Sequence, residues 1–251
     1  MTITVPRPMT STHTSRIISL TRAESTQMLR NKTLLYMMST PLLMGLVMAF
    51  LGKDVEIINT ALLFEMPTLF ALLFCAYYLV LSMSTTRRDE KVLKRLRTGE
   101  STDTDILVSL GIGPVLATIG TVALSGGILL AVGVPVPDNP LLLLVAIPFG
   151  TVLSWGLALL TSIITRNAEA AQMTSMPLTL IILLSQKGLR DLLPDTAARI
   201  AEFTPYAAVS DLVNLSWAGG GEYLQPILVL VAWTALCSWA GMTFMKWEND
   251  R

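Results

Sequence analysis

A polar block from Arg87 to Arg97 holds the densest cluster of charge in the sequence. Most of its residues favour a helix, and no Pro or Gly interrupts it. Val92, Leu93 and Leu96 are spaced to share one side of a helical turn, while basic residues occupy the remainder. A short basic helix between two membrane spans either holds its loop on the inner leaflet or presses its apolar side into a partner protein. The spacing leaves both interpretations open.

The sequence offers no convincing catalytic or metal-binding constellation. It contains neither a Gly-rich phosphate loop of the Walker type nor a His-Glu-x-x-His zinc motif, so the chain does not itself bind ATP by that loop. The single histidine, His13, precedes the apolar runs, and Cys75 and Cys237 lie inside such runs without metal-ligand spacing. We interpret both cysteines as small packing residues. The chain is therefore predicted not to be an enzyme and to bind no metal or cofactor itself.

Three residues inside apolar runs are candidates for a substrate pathway: Glu65, Met44 and Thr121. Glu65 either reaches the outer membrane interface or faces a cavity, where it would bind a cationic group or a partner. Met44 belongs to a group of methionines that suits varied apolar ligands, lipid contacts or core packing. Thr121 belongs to a ridge of small residues, for which helix packing is the alternative interpretation.

The composition is that of a membrane protein that crosses the bilayer several times. The 251 residues are 52% hydrophobic and 14% charged, whereas a soluble domain carries about 25% charged residues. The charges are concentrated in the gaps between long apolar runs. Because the net charge is zero, nucleic acid is not expected as a partner.

Six apolar runs approach the length of about 20 residues that crosses the hydrocarbon. These predicted spans are 33–51, 61–83, 106–134, 141–165, 168–186 and 227–247. The predicted fold is an all-α membrane protein with one transmembrane domain over 15–251, preceded by a disordered tail over 1–14. Residues 15–32 are predicted to form an amphipathic interfacial helix.

Lysine and arginine are unevenly shared between the predicted loops. If the N-terminus is cytoplasmic, the inner loops and both termini carry 14 of these residues and the outer loops carry 4. This asymmetry follows the positive-inside rule. Both termini are therefore predicted to be cytoplasmic.

Small residues recur every four positions in spans three and four. The first ridge comprises Ser109, Gly113, Ala117, Thr121 and Ser125, and the second comprises Gly150, Ser154, Ala158 and Ser162. Because small side chains let helix backbones approach closely, the ridges favour helix–helix packing within one chain or across a dimer.

The longest predicted external segment is 187–225. It is amphipathic, and Pro194 and Pro205 each suit the first turn of a helix. We predict two short helices, Pro194–Phe203 and Pro205–Trp217, which lie in or dip into the outer leaflet. The alternative is an ordinary surface cap without contact to lipid.

The order of these parts resembles the membrane permeases of type-2 ABC exporters over roughly 15–247. The most specific match is the stretch Arg88-Asp89-Glu90-Lys91-Val92-Leu93-Lys94-Arg95-Leu96-Arg97-Thr98. It resembles the family's loop, in which an acidic residue precedes a short Leu-Lys-Arg-Leu-Arg run that leads into span three. Arg30-Asn31-Lys32 resembles that family's entry to span one, and Phe203-Thr204-Pro205-Tyr206 resembles its external helices. Lys91-Val92 stand where the family usually has Gly-Thr.

The resemblance implies a bacterial plasma-membrane permease of a drug, antibiotic or other exporter. Two permeases would pair, as a homodimer or heterodimer, and each would dock a separate ATP-binding subunit that holds ATP and Mg. The 15–32 helix and the 87–98 loop would make this contact. The implied contact residues are Arg88, Glu90, Lys91, Leu93, Lys94, Leu96 and Arg97.

Two other functions compete with the permease. A membrane sensor or immunity protein would bind its ligand through 187–225 without transport. An ion-coupled carrier is disfavoured, because few ionisable residues lie within the spans. An ATPase partner distinguishes the permease from the sensor, whereas nothing in the sequence selects the exported substrate.

Overall fold

The computed structural model describes residues 13–52, 59–97, 102–245 and 247, and this part of the chain contains helices and no strand. The helices are α1 His13–Arg30, α2 Lys32–Leu51, α3 Thr60–Asp89, α4 Val92–Arg97, α5 Asp103–Ala131, α6 Leu141–Ile164, α7 Ala168–Leu184, α8 Lys187–Arg190, α9 Asp195–Glu202, α10 Pro205–Trp217 and α11 Leu224–Phe244. Most of the predicted tail, 1–12, lies outside the described residues, and α1 begins at His13, inside the tail predicted for 1–14.

Local capping signals start several of these helices. The side chains of Asn31, Asn59 and Asn167 each accept a hydrogen bond from a backbone N–H in the first turn of the following helix. Thr102 and Asp105 form a reciprocal capping box at the start of α5. These side chains satisfy backbone donors that have no partner inside the helix.

The chain is an all-α membrane protein, as predicted, but the number of spans is not established as six. In the described part, α2, α3, α5, α6 and α11 are long and apolar enough to cross a bilayer. The predicted fifth span forms α7, which has 17 residues. At about 1.5 Å per residue, this helix is shorter than the hydrocarbon thickness of about 30 Å.

Helix α3 is the centre of the bundle. It contacts α2, α5, α6, α7 and α10, and most of it is buried, whereas α2 and α11 remain largely exposed. Its middle, Leu72–Tyr78, is π-helical, and the Tyr77 hydroxyl donates to Thr161 Oγ1 of α6 at 3.1 Å. This central helix connects the two ends of the molecule.

The ridges of small residues pack helices together within one chain, as the four-residue spacing predicted. On α5, Ser125 lies against Gly45 of α2, where a β-carbon on the glycine would come within 2.7 Å of the Ser125 hydroxyl. On α6, the Ser154 hydroxyl bonds the Tyr206 hydroxyl of α10 at 2.8 Å. Each ridge therefore positions a neighbouring element of the same chain.

Helices α6 and α11 approach most closely at two glycines. A β-carbon on Gly156 would lie 2.7 Å from the carbonyl carbon of Cys237, and one on Gly241 would lie 2.8 Å from the Gly156 carbonyl oxygen. In both cases the obstructing atom belongs to the backbone, which cannot move aside as a flexible side chain can. The crossing therefore requires glycine on both helices.

We expect Gly156→Val to destabilise the protein by about 1–3 kcal/mol or more, the usual cost of an overpacked site. The measurement is thermal unfolding of purified protein in detergent. Gly127→Val on α5 is the matched control, because a β-carbon there meets no atom within 4 Å. Equal melting temperatures for the two variants would show that the helices do not cross at Gly156.

The external segment forms the two predicted helices, here α9 and α10, within one residue of the predicted bounds. Their expected contact with lipid is wrong for α10, since Tyr206, Val209 and Leu212 are fully buried in the protein. The helix packs between α3, α6 and α11. It is a core element, because its apolar residues are covered by protein.

Candidate functional site

The polar block is not one helix. Arg87, Arg88 and Asp89 complete α3, a turn follows at Glu90 and Lys91, and α4 begins at Val92. The turn depends on Lys91, which has a φ of 58°. The uninterrupted helix predicted over 87–97 is therefore wrong, although its composition favours one. We call the end of the bundle that carries Arg87, Arg88 and α4 the basic end.

We expect Lys91→Gly to stabilise the turn by up to about 1 kcal/mol, because the left-handed conformation costs a residue with a β-carbon about 1–2 kcal/mol and glycine adopts it freely. Arg95→Gly, in the helical conformation of α4, is the matched control and should lose about 1 kcal/mol. Thermal unfolding of both variants checks the pair. A destabilised Lys91→Gly variant would contradict the left-handed turn.

Leu93 lies inside the bundle. Its side chain is fully buried in the protein's own core, and Leu96 is half-buried against the same core. The apolar side of α4 therefore faces its own bundle, and the expected insertion of Leu93 into an ATP-binding subunit stays a prediction. A charge at this position would disturb the fold as well as any docking.

Arg88 also faces inward. It is 4% exposed, and its guanidinium donates to the carbonyl oxygens of Ser162, at 2.8 Å, and of Thr165. These carbonyls belong to the last turn of α6 and the residue that follows it. Thr165 Oγ1 in turn lies 2.8 Å from Thr174 Oγ1 of α7. Arg88 is thus a clamp on the α6–α7 junction rather than an exposed contact residue.

Arg87 joins the same end of α3 to α1. Its Nε lies 3.0 Å from both carboxylate oxygens of Glu24, and its Nη2 donates to Glu24 Oε2 at 2.8 Å. The side chains of the pair are 9% and 10% exposed. Such a buried, multiply bonded pair is strongly destabilised when one partner is lost. Neighbouring arginines therefore connect α3 to two different elements.

The surface left at the basic end is polar. Glu90, Lys91 and Arg95 are exposed, and the Glu90 carboxylate lies 3.3 Å from Arg87 Nη1. The side chains of Lys94 and Arg97 and the whole of Thr98 lie outside the described residues. Of the predicted contact residues, Glu90 and Lys91 are thus in a position to meet a partner directly.

Helix α1, predicted to lie along the membrane surface, packs against α5. A β-carbon on Gly113 of α5 would come within 3.2 Å of the Ser25 hydroxyl, and Met28 is buried beside it. The opposite side of α1 carries exposed apolar and basic residues, among them Ile18 and Arg22. The helix is held by protein on one face and free on the other.

At the opposite end of α3, Glu65 is buried inside the protein, which does not fit the first of its two alternatives, a side chain that reaches the interface. Its carboxylate accepts hydrogen bonds from the Lys187 backbone N–H at 3.1 Å, from Asn214 Nδ2 at 2.8 Å and from the Ser210 hydroxyl. The residue is 1% exposed. Glu65 thus anchors α8 and α10 to α3.

A cleft of about 590 Å³ opens beside this anchor. Its lining includes five carboxylates, Asp138, Asp191, Glu202, Asp211 and Glu222. Its two basic residues are each paired with a carboxylate: Lys187 with Asp191 at 3.4 Å, and Arg190 with Asp211. The lining therefore carries an excess of negative charge, and we call this the acidic end.

The three candidate pathway residues are not brought together. Glu65 lies near the acidic end, and Thr121 is buried where its hydroxyl meets the Ala117 carbonyl at 2.9 Å and the Cys75 sulfur at 3.8 Å. Met44 is half-buried on α2. None of the three lines the cleft at the acidic end or the smaller cavity at the basic end. Their role in a pathway stays a prediction.

The contacts that the sequence did not predict are ion pairs and hydrogen bonds between residues that lie far apart in the chain. Glu24 and Arg87 lie 63 residues apart, and Glu65 and Asn214 lie 149 residues apart. The only signal in the sequence was a charged residue inside or next to an apolar run, which indicates a buried partner without naming it.

Comparison with known proteins agrees with this architecture. No curated protein matches the chain as a relative. The family model described as "ABC-2 family transporter protein" matches residues 51–243. This match covers most of the chain and includes α3, α4 and the external helices, and the chain therefore belongs to the ABC-2 transporter family, as a multi-pass permease subunit of an ABC transporter.

Proposed function

We propose that this chain is the transmembrane subunit of an ATP-driven exporter, and that it docks a separate ATP-binding subunit at its basic end. The observation that carries the proposal is the pair of adjacent arginines that ends α3. Arg87 holds α1 and Arg88 holds the α6–α7 junction, directly beside the exposed turn at Glu90 and Lys91. A displacement of this turn is therefore transmitted directly to α1, α6 and α7.

The proposed docking surface comprises the turn, α4 and the free face of α1. Glu90 and Lys91 meet the partner directly, whereas Leu93 and Arg88 position α4 and α3 behind them. Lys94, Leu96 and Arg97 complete the surface. ATP and Mg belong to the partner subunit, whose closure moves the basic end and, through α3, the acidic end.

Transport requires two such permeases, which line the pathway together. Exposed apolar residues on α2, α7 and α11, such as Phe50, Leu180 and Trp239, are available for lipid and for a second copy or a homologous permease. We place the chain in the bacterial plasma membrane with both termini cytoplasmic, so that the basic end faces the cytoplasm and the acidic end faces outward.

The experiment that tests this function is a mild-detergent purification of the chain from its native membrane. We expect a stoichiometric partner that carries a Walker loop, together with vanadate-sensitive ATPase activity. A chain that purifies alone or only with itself, and without ATPase activity in several detergents, would overturn the proposal and favour a sensor or immunity protein.

The docking surface is tested with two charge reversals. Lys91→Glu combined with Arg95→Glu should release the ATP-binding subunit while leaving the permease folded, because both side chains are exposed. Arg199→Glu, which reverses an exposed charge on α9 at the acidic end, is the control and should retain the subunit. Release by the control alone would place the contact at the wrong end of the bundle.

A further inference from the structure

A second cavity, of about 390 Å³, lies at the basic end between the α1–α2 junction and α3. Gln27, Arg30 and Asn31 form one wall, and Ser82 and Thr86 lie on the other wall. Ser82 and Thr86 are four residues apart, so they share one face of α3. The cavity is open to the outside and is flanked on both sides by side chains that can donate hydrogen bonds.

Most of these donors make no hydrogen bond within the described part of the protein. Within the described residues, the Arg30 guanidinium, the Gln27 amide and the side-chain hydroxyls of Ser82 and Thr86 have no hydrogen-bond partner, whereas many neighbouring hydroxyls bond to helix carbonyls. Several unpaired donors that converge on one space match the oxygens of a phosphate group.

The net charge of the cavity lining depends on which of its charged side chains form ion pairs. Arg87 lies in its lining, but Glu24 and Glu90 already bind that guanidinium. The negative charge of the Glu90 carboxylate is therefore offset by the Arg87 guanidinium beside it. Arg30 remains as the unpaired charge, so the cavity favours a ligand with a negative group.

The position of the cavity indicates a lipid. The apolar run of α2 begins directly after Arg30, Asn31 and Lys32, and Leu34 and Met83 line the same cavity. Tyr36 on α2 is 65% exposed just beyond it. Polar donors therefore lie at the point where headgroups meet hydrocarbon, and an exposed apolar helix face continues from them.

We propose that this cavity binds the phosphate headgroup of an anionic phospholipid, whose acyl chains lie along α2. Arg30 supplies the charge, and Gln27, Ser82 and Thr86 supply hydrogen bonds. The ligand joins α1 and α2 to α3 at the level of the Glu24–Arg87 pair. Basic pockets between membrane helices commonly bind such headgroups.

The test is native mass spectrometry of the full chain in detergent, titrated with phosphatidylglycerol or with phosphatidylcholine. We expect one tightly bound phosphatidylglycerol and weaker binding of phosphatidylcholine. Arg30→Gln should weaken phosphatidylglycerol binding about fivefold, as expected for one arginine at a membrane surface. Thr86→Val, which removes a hydroxyl without changing charge, should weaken binding by a smaller factor.

The control is Arg22→Gln, which removes the same charge from an exposed position on α1 outside this lining. An equal loss in Arg22→Gln and Arg30→Gln would show general attraction to the surface and overturn the proposal. Equal binding of the two lipids would overturn it too, as would displacement of the lipid by glycerol phosphate at matched concentration. Because the permease is tested without an ATP-binding subunit, failure here is separate from failure of the exporter function.

Discussion

Replacing Arg87 by Gln is expected to uncouple ATP hydrolysis from transport. The substitution leaves the Glu24 carboxylate buried without its cation, and breaking a buried pair in this way costs about 3–5 kcal/mol. Because the pair links α1 to α3, the two elements should separate at the basic end. Vesicles that contain the complex should hydrolyse ATP but export at most a few per cent of the wild-type amount.

A charge swap distinguishes this coupling from general damage to the fold. Arg87→Glu combined with Glu24→Arg should recover part of the transport that either single variant loses, because the ion pair re-forms in reverse. Arg199→Gln, at an exposed position of α9, serves as a control and should transport normally. No recovery in the swap, with both single variants folded, would show that the pair does not couple these helices.

Replacing Glu65 by Leu is the second large effect that we expect. The substitution removes the acceptor shared by the Lys187 N–H, Ser210 and Asn214. The Lys187 N–H and the Asn214 amide keep a second acceptor on Ser210, whereas a buried donor left without a partner, such as the Ser210 hydroxyl, costs about 1–3 kcal/mol. The contact of α8 and α10 with α3 should loosen. We expect faster proteolysis of the 187–217 segment, measured by limited digestion, and reduced transport with normal membrane insertion.

Glu65→Gln keeps the size of the side chain and changes its hydrogen bonding, so it distinguishes the two effects. The amide keeps one acceptor oxygen, so its loss of stability should be smaller than that of Glu65→Leu. Glu169→Leu, on the exposed first turn of α7, is a surface control with an expected effect within about 0.5 kcal/mol. Equal proteolysis of all three variants would contradict an anchoring role for Glu65.

The features that the sequence predicted correctly depend on local spacing. Apolar runs predicted the helices, and the four-residue ridges predicted close packing at Ser125 and Ser154, because helical periodicity alone places such residues on one face. Pro194 and Pro205 in the external segment predicted where α9 and α10 begin. Local patterns of this kind are present in the chain before it folds.

The features that it missed depend on tertiary contacts. The helix break at Lys91 lies among good helix formers, and it forms where Arg88 is already tied to α6. The burial of Leu93 and the pairing of Glu24 with Arg87 depend on which face of α4 and α1 meets the bundle, which amphipathic spacing does not specify. Glu65 and its partners are joined across three separate helices.

Site-directed cross-linking tests the central claim most directly, namely that an ATP-binding subunit docks at the basic end. Lys91→Cys and Leu192→Cys each place an exposed thiol, at the basic and the acidic end respectively, while the native Cys75 and Cys237 are buried. After labelling with a photoreactive maleimide in native membranes, the thiol at position 91 should cross-link to a protein with a Walker loop, and the thiol at position 192 should not. Cross-linking from position 192 alone, or from neither position while transport continues, would contradict the account.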